Sequence, residues 1–255
     1  MPLFNLRPVA SARRRMNMFY LIDTSGSMNK KNCIGSVNRA MPEIVEILKE
    51  ISRANNDHSD IYMSCITYNN TARRLYDAPV NVKDFRWVDV EAMGLTNLKA
   101  GLDMLEAQME QECRSVPAGQ LLRPAVLLMS DGDPDPGWEE TLARLQNNCL
   151  FRQAYKIAIA IGCKPDNKQM QRALSLFAQP LDAGGEPLVI TVDHLDTLYR
   201  VLKMVSTTVS RIGSRNIVAP GSSTAEEICR EIRDDAGNII GVDIPPMKQD
   251  GIGWY

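Results

Sequence analysis

"MNMFYLIDTSGSM", residues 16–28, decides how the chain is read. Met16 to Ile22 is a short, mostly apolar run that suits a strand inside a sheet. It stops at Asp23, and Ser25, Gly26 and Ser27 follow. A carboxylate at the end of a buried strand needs something positive nearby, because burying an unpaired charge is costly.

Outward from this run, short apolar segments alternate with helical periods. Ile34, Val37, Met41, Ile44, Leu48 and Ile51 step by three and four, one face of a helix. Residues 61–68 read as a second strand, with 72–76 as a short edge strand paired to it. Leu98, Leu102, Leu105 and Met109 mark the next helix. Residues 125–129 hold no polar side chain, which suits a central strand covered on both faces. Trp138, Leu142, Leu145 and Cys149 read as one helix and 155–161 as a buried strand. Met170, Leu174 and Phe177 fit a short helix, 188–191 a last strand, and Leu195 to Val209 a last helix.

The alternation argues for an α/β fold: a doubly wound, mainly parallel sheet with one short antiparallel edge strand and helices on both faces. The expected organisation is an N-terminal arm at 1–15, a domain at 16–212 and a C-terminal extension at 213–255. In that extension Ser223 and Glu226 resemble a capping box. "IIGVDIPP" reads as an edge strand stopped by Pro245, and a hairpin through "DDAG" competes with it. "MKQDGIGWY" is expected to be a loose tail.

The chain has 255 residues, 44% of them hydrophobic, and a formal net charge of −2. That balance gives no general electrostatic case for nucleic acid or an anionic membrane. No apolar run approaches the ~20 residues that span a bilayer, so no membrane insertion is expected. Arg13–Arg15 precede the first strand and read as a solvated basic patch. None of the six cysteines forms C-x-x-C. They read as reduced core thiols, from which a cytoplasmic location is expected.

In open α/β sheets, sites form at the carboxyl ends of strands. Three polar clusters fall at such positions: Asp23, Ser25 and Ser27; "GLTNL" with Thr96; and "MSDGDPD" with Asp131. Two bare carboxylates side by side repel and resist desolvation, and a divalent cation removes that conflict. The donors are all oxygen, with no His or Cys among them, which disfavours zinc and copper. Mg²⁺ keeps its waters readily and fits such a set, with Mn²⁺ and Ca²⁺ as alternative occupants.

In this order and spacing, "DTSGSM", "GLTNL" and "LMSDGDPD" resemble the metal-ion-dependent adhesion site (MIDAS) of von Willebrand factor A domains. The resemblance covers roughly residues 16–210 and is most similar to the bacterial TerY-like branch, linked to tellurite resistance and stress response. It implies that Ser25 and Ser27 bind the metal directly, that Thr96 joins in the ligated form, and that Asp23 and Asp131 act mostly through water. A Glu or Asp of a partner protein would complete the shell. It also implies a non-enzymatic adaptor, beside a kinase and a phosphatase of the same gene cluster.

Other accounts compete. Ser25, Ser27 and Thr96 precede helical patterns, where such residues cap, and Asp131-Gly132 is a common turn. A Mg²⁺-dependent phosphohydrolase is the enzymatic rival, although the aspartyl-phosphate type wants an acid two positions after the first Asp, where Ser25 stands. A substrate-selecting subunit of an AAA+ ATPase keeps the fold and changes the partner. A scaffold without metal is the remaining account. Asp133 and Asp135 read as solvated loop acids, Asn97 as a helix start, and Gly101 as a close-packing position.

Overall fold

The computed structural model describes residues 13–54, 59–162, 167–180, 186–192, 194–214, 224–239 and 242–244. The elements run β1 (Arg14–Asp23), a 3-10 turn (Gly26–Asn32), α1 (Cys33–Ala54), β2 (Ser59–Tyr68), β3 (Ala72–Arg74), β4 (Val80–Asn81) and α2 (Leu98–Ser115). A second 3-10 turn then leads to β5 (Ala125–Ser130), α3 (Trp138–Leu145), α4 (Cys149–Gln153), β6 (Tyr155–Ile161), α5 (Lys168–Phe177), β7 (Leu188–Val192), α6 (Leu195–Gly213), α7 (Thr224–Gly237) and β8 (Val242–Asp243).

All eight strands form one sheet in the order β3-β2-β1-β5-β6-β7-β8, with β4 also on β2. The β1–β2, β1–β5, β5–β6 and β6–β7 pairs are parallel. Antiparallel pairing is confined to short pieces at the edges: β3 and β4 on β2, and β8 on β7.

The central strands are apolar on both sides because helices cover both. From β1, Met16, Met18, Tyr20 and Ile22 pack with α1, α6 and α7, while Phe19 and Leu21 pack with α2, α3 and α5. Side chains alternate across a strand, so one segment feeds two cores. Burying each large apolar side chain stabilises the fold by roughly 1.5–3 kcal/mol. The sheet reverses direction at β1: the chain winds outward to β2 on one side and returns to β5 on the other. That reversal opens a crevice at the carboxyl ends of β1 and β5.

Four expectations need correction or decision. The helix expected through 138–149 is two helices, because the Asn148 side-chain Oδ1 accepts from the Leu150 and Phe151 amides and starts α4 afresh. The "DDAG" hairpin does not form; Asp234–Gly237 ends α7, and the edge strand is β8, on β7. Ile228 and Ile232 of α7 belong to the core. Arg13–Arg15 are not a simple solvated patch: Arg13 pairs with Asp60 at 3.0 Å and Arg15 with Glu112 at 3.0 Å. The cysteines are not all core thiols either, since Cys113 and Cys149 are exposed. Ser223, Cys163, His58, Pro245 and the 247–255 tail lie outside the described residues. Among the described residues no helix is long and apolar enough to cross a membrane.

Gly101 faces the sheet from α2. A Cβ there would meet Tyr68 Cδ1 at 3.0 Å and Leu21 Cδ1 at 3.2 Å. The Tyr68 ring is fully buried and cannot swing away. Gly101→Ala gains about 1 kcal/mol of helix propensity but forces α2 off the sheet, an overpacking cost of roughly 1–3 kcal/mol. A net loss of about 1 kcal/mol in urea unfolding is expected, and a more stable variant would contradict the close packing.

Candidate metal centre

Three loops converge at the β1/β5 crevice. The first leaves β1. Asp23 is fully buried; its Oδ1 accepts the Ser25 amide at 2.8 Å and its Oδ2 accepts the Ser130 hydroxyl at 2.6 Å. Ser25 Oγ lies 2.9 Å from Ser27 Oγ. Ser27 Oγ donates to Asp131 Oδ1 at 2.6 Å, which brings in the loop after β5.

The second loop, 93–97, is held by the backbone. The Gly26 amide donates to the Gly94 carbonyl at 2.9 Å and the Met93 amide to the Thr24 carbonyl at 2.8 Å. Gly94 has φ +78°, and a Cβ there would lie 2.5 Å from Asn70 Oδ1, so a side chain is excluded on both counts. The same Asn70 oxygen accepts the Leu95 amide at 2.7 Å. Asn97 caps α2 by accepting from the Ala100 amide, as the sequence reading expected of it.

The circuit closes between the second and third loops, where the Asp135 amide donates to the Thr96 carbonyl at 3.0 Å. The Thr96 and Ser27 hydroxyls both face Gly132. A Cβ on Gly132 would sit 3.5 Å from Thr96 Oγ1 and 3.6 Å from Ser27 Oγ. All five candidate residues therefore lie around one cluster. The capping account fits them poorly, since neither Ser25 nor Thr96 caps with its side chain: the 3-10 turn has no side-chain cap and α2 is capped by Asn97.

Electrostatics follow from burial. Asp23 is pushed up from 3.8 to about 6, chiefly by desolvation, with hydrogen bonds from Ser130 and Ser25 opposing and the Asp131 charge adding. Burial also raises Asp131, against the Ser27 hydrogen bond and the charge of Lys30. Tyr68, fully buried beside this pair, is raised well above 10 by burial and by Asp23, and its hydroxyl has no hydrogen-bond partner among the described residues. A centre that raises both of its carboxylates favours a cation.

The donor set fits a hard divalent ion: two carboxylates and three hydroxyls, two of which face Gly132. Among the described residues no three His, Cys, Asp or Glu side chains group as a metal site. This is consistent with a centre whose remaining donors are hydroxyls.

Sequence reasoning missed Ser130, Asn69, Asn70 and Thr24. Ser130 directly precedes Asp131, and its hydroxyl spans the two strands. Thr24 Oγ1 donates to the Tyr68 carbonyl at 3.0 Å, pinning the exit of β1 to β2. The Asn97 amide donates to the Asn69 carbonyl at 2.8 Å. Asp133 is more than a solvated loop acid, because its Oδ1 accepts the Met170 amide at the start of α5 at 3.1 Å.

No protein-family model and no curated protein matches the sequence. Solved structures do. A von Willebrand factor type A protein from Catenulispora acidiphila shares 14% identity at a TM-score of 0.56, over 78% of this chain and 43% of that one. The pilus adhesin SpaC from Lactobacillus rhamnosus GG shares 11% identity at 0.60, over 79% and 31%. Proximal thread matrix protein 1 from the mussel byssus, with a zinc-occupied MIDAS motif, shares 15% identity at 0.51, over 78% and 46%. The chain spans less than half the length of each. At these identities the likeness is one of architecture, and the fold is that of von Willebrand factor A domains.

Proposed function

We propose that this chain is a non-enzymatic protein-binding module. It holds a divalent cation, Mg²⁺ first, through Asp23, Ser25, Ser27, Thr96 and Asp131. The cation captures a Glu or Asp of a partner protein. The observation that carries this reading is the hydrogen-bonded chain from buried Asp23 through Ser25 and Ser27 to Asp131, an oxygen-rich cluster with two carboxylates. With few charged ligands of its own, a bound cation retains charge for an outside carboxylate. The similar byssus protein, whose structure has zinc in a MIDAS motif, adds support for a divalent ion.

The surroundings favour a protein ligand. Val88, Met93 and Leu95 are 58%, 57% and 65% exposed, and all belong to the segment that leads into the Thr96 loop. Exposed apolar side chains gathered beside a polar centre mark interaction surfaces. Catalysis is not part of the proposal, since Ser25 stands where an aspartyl-phosphate enzyme would carry its second acid.

The finer placement rests on the three motifs alone: an adaptor of the TerY-like kind, in a tellurite- or stress-response system with a kinase and a phosphatase. Calorimetric titration with Mg²⁺ tests the centre. Wild type is expected to give a saturable heat, and Thr96→Ala to weaken it by roughly 10–100-fold, the range seen when a supporting metal contact is lost. No heat in wild type, or turnover of a phosphate ester with Mg²⁺, would overturn the reading. Pull-downs with Mg²⁺ and with EDTA then identify the partner.

A further inference from the structure

Two cysteines lie sulfur to sulfur on the surface, far from the metal centre. Cys113 is near the end of α2 and Cys149 is the first residue of α4. Their Sγ atoms are 3.1 Å apart, both residues are exposed, and they are 36 positions apart in the chain. Cys33 and Cys65 are buried by contrast, and Cys229 is half-buried. A disulfide has an S–S length of about 2.0 Å, so closing this pair needs a movement of about 1 Å. We propose that Cys113 and Cys149 form a reversible disulfide by exchange with a low-molecular-weight disulfide, and that the bond staples α2 to the β5–β6 connection.

The exchange balances in two steps. The Cys149 thiolate attacks one sulfur of the small disulfide. That S–S bond breaks, one small thiolate departs, and Cys149 carries a mixed disulfide. Cys113 gives its proton to solvent and attacks Cys149 Sγ. The mixed disulfide breaks and the second small thiolate departs. Two protein thiols are oxidised and one small disulfide is reduced to two thiols.

Burial, the neighbouring Cys149 sulfur and the charges of Glu112 and Glu110 push the Cys113 thiol up to about 12. The exchange balances equally with the two cysteines interchanged, and the linked product is the same. The staple closes a long loop, which removes conformational freedom from the unfolded chain. Cys113 lies fifteen residues after the start of the Thr96 loop's helix, about 22 Å along α2, so the bond leaves the metal donors untouched.

The test uses the full chain in oxidised glutathione. Trypsin should yield residues 100–114 linked to 145–152, with the intact mass lower by about 2 Da for the two hydrogens lost. The thermal midpoint should rise by roughly 5–10 °C and return on reduction. Cys113→Ser and Cys149→Ser should each lose the linked peptide and the shift, whereas Cys229→Ser should keep both. Glutathione adducts on Cys113 or Cys149 without the linked peptide, untouched thiols, or Cys113 linked to another cysteine would overturn the proposal. A linked pair with an unchanged midpoint would overturn the staple.

Discussion

Asp23→Asn is expected to make the metal-free protein more stable above pH 7, by about 3 kcal/mol, while abolishing its response to Mg²⁺. The folded chain holds the Asp23 proton up to about pH 6, against an ordinary value of 3.8. Between those values the native state binds more protons than the unfolded state. Stability therefore falls as pH rises through this window. The favourable contribution is fully present below about pH 4 and is lost above about pH 6. A shift of about two units corresponds to about 3 kcal/mol.

Asn mimics the protonated acid. Its oxygen can accept the Ser25 amide, and its NH₂ can donate to Ser130 Oγ, which retains the Gly132 carbonyl as an acceptor at 3.3 Å. Urea unfolding in EDTA from pH 4 to 8 checks this. Wild type should lose stability along the series and Asp23→Asn should not. Added Mg²⁺ should stabilise wild type alone at pH 7.5. A flat wild-type profile, or an equal Mg²⁺ effect on both, would refute the account of the centre. Asp23→Ala should likewise abolish Mg²⁺-dependent partner binding with the fold retained.

Glu112→Ala should cost about 3–5 kcal/mol, the range for one partner removed from a buried ion pair. Glu112 sits on α2 at the rim opposite the metal centre, with its side chain 3% exposed and that of Arg15 17% exposed. One Glu112 oxygen accepts from both Arg15, at 3.0 Å, and Asn17 Nδ2, at 2.9 Å. Arg15 Nε donates to Asn17 Oδ1 at 2.9 Å, and its guanidinium lies 3.7 Å from the Tyr62 ring centroid. Removing the carboxylate leaves an arginine that cannot shed its charge and an amide with no acceptor. Glu112→Gln keeps an acceptor and should cost about half as much. The readout is the urea midpoint at unchanged slope. A loss under 1 kcal/mol for Glu112→Ala would mean that water replaces the carboxylate.

Much of the architecture is legible in local patterns. The two-residue alternation and the three-to-four-residue steps set where strands and helices run, since each is read within a few neighbouring residues. The limits are equally local. The break at Asn148 was hidden because Trp138, Leu142, Leu145 and Cys149 keep helical spacing across it. β4 is two residues long and has no pattern to read.

At the candidate centre, Asp23, Ser25, Ser27, Thr96 and Asp131 stand out because polar groups interrupt apolar strands. Ser130 does not, since one hydroxyl at the end of "AVLLMS" carries no such contrast. Its role depends on β5 lying beside β1. Asn70 is invisible for the same reason, because its partner amide, at Leu95, is 25 residues away.

The order of strands and helices, the double covering of the central strands and the oxygen-rich character of three loops were determined by the sequence, since hydrophobic period and donor chemistry are properties of short stretches. Which strands became neighbours was decided by tertiary structure. So were the closure of the three loops into one cluster, the pairing of Arg15 with Glu112 and the approach of Cys113 to Cys149. Each joins groups far apart along the chain, and contact between such groups arises only when the packed sheet and helices bring their ends together.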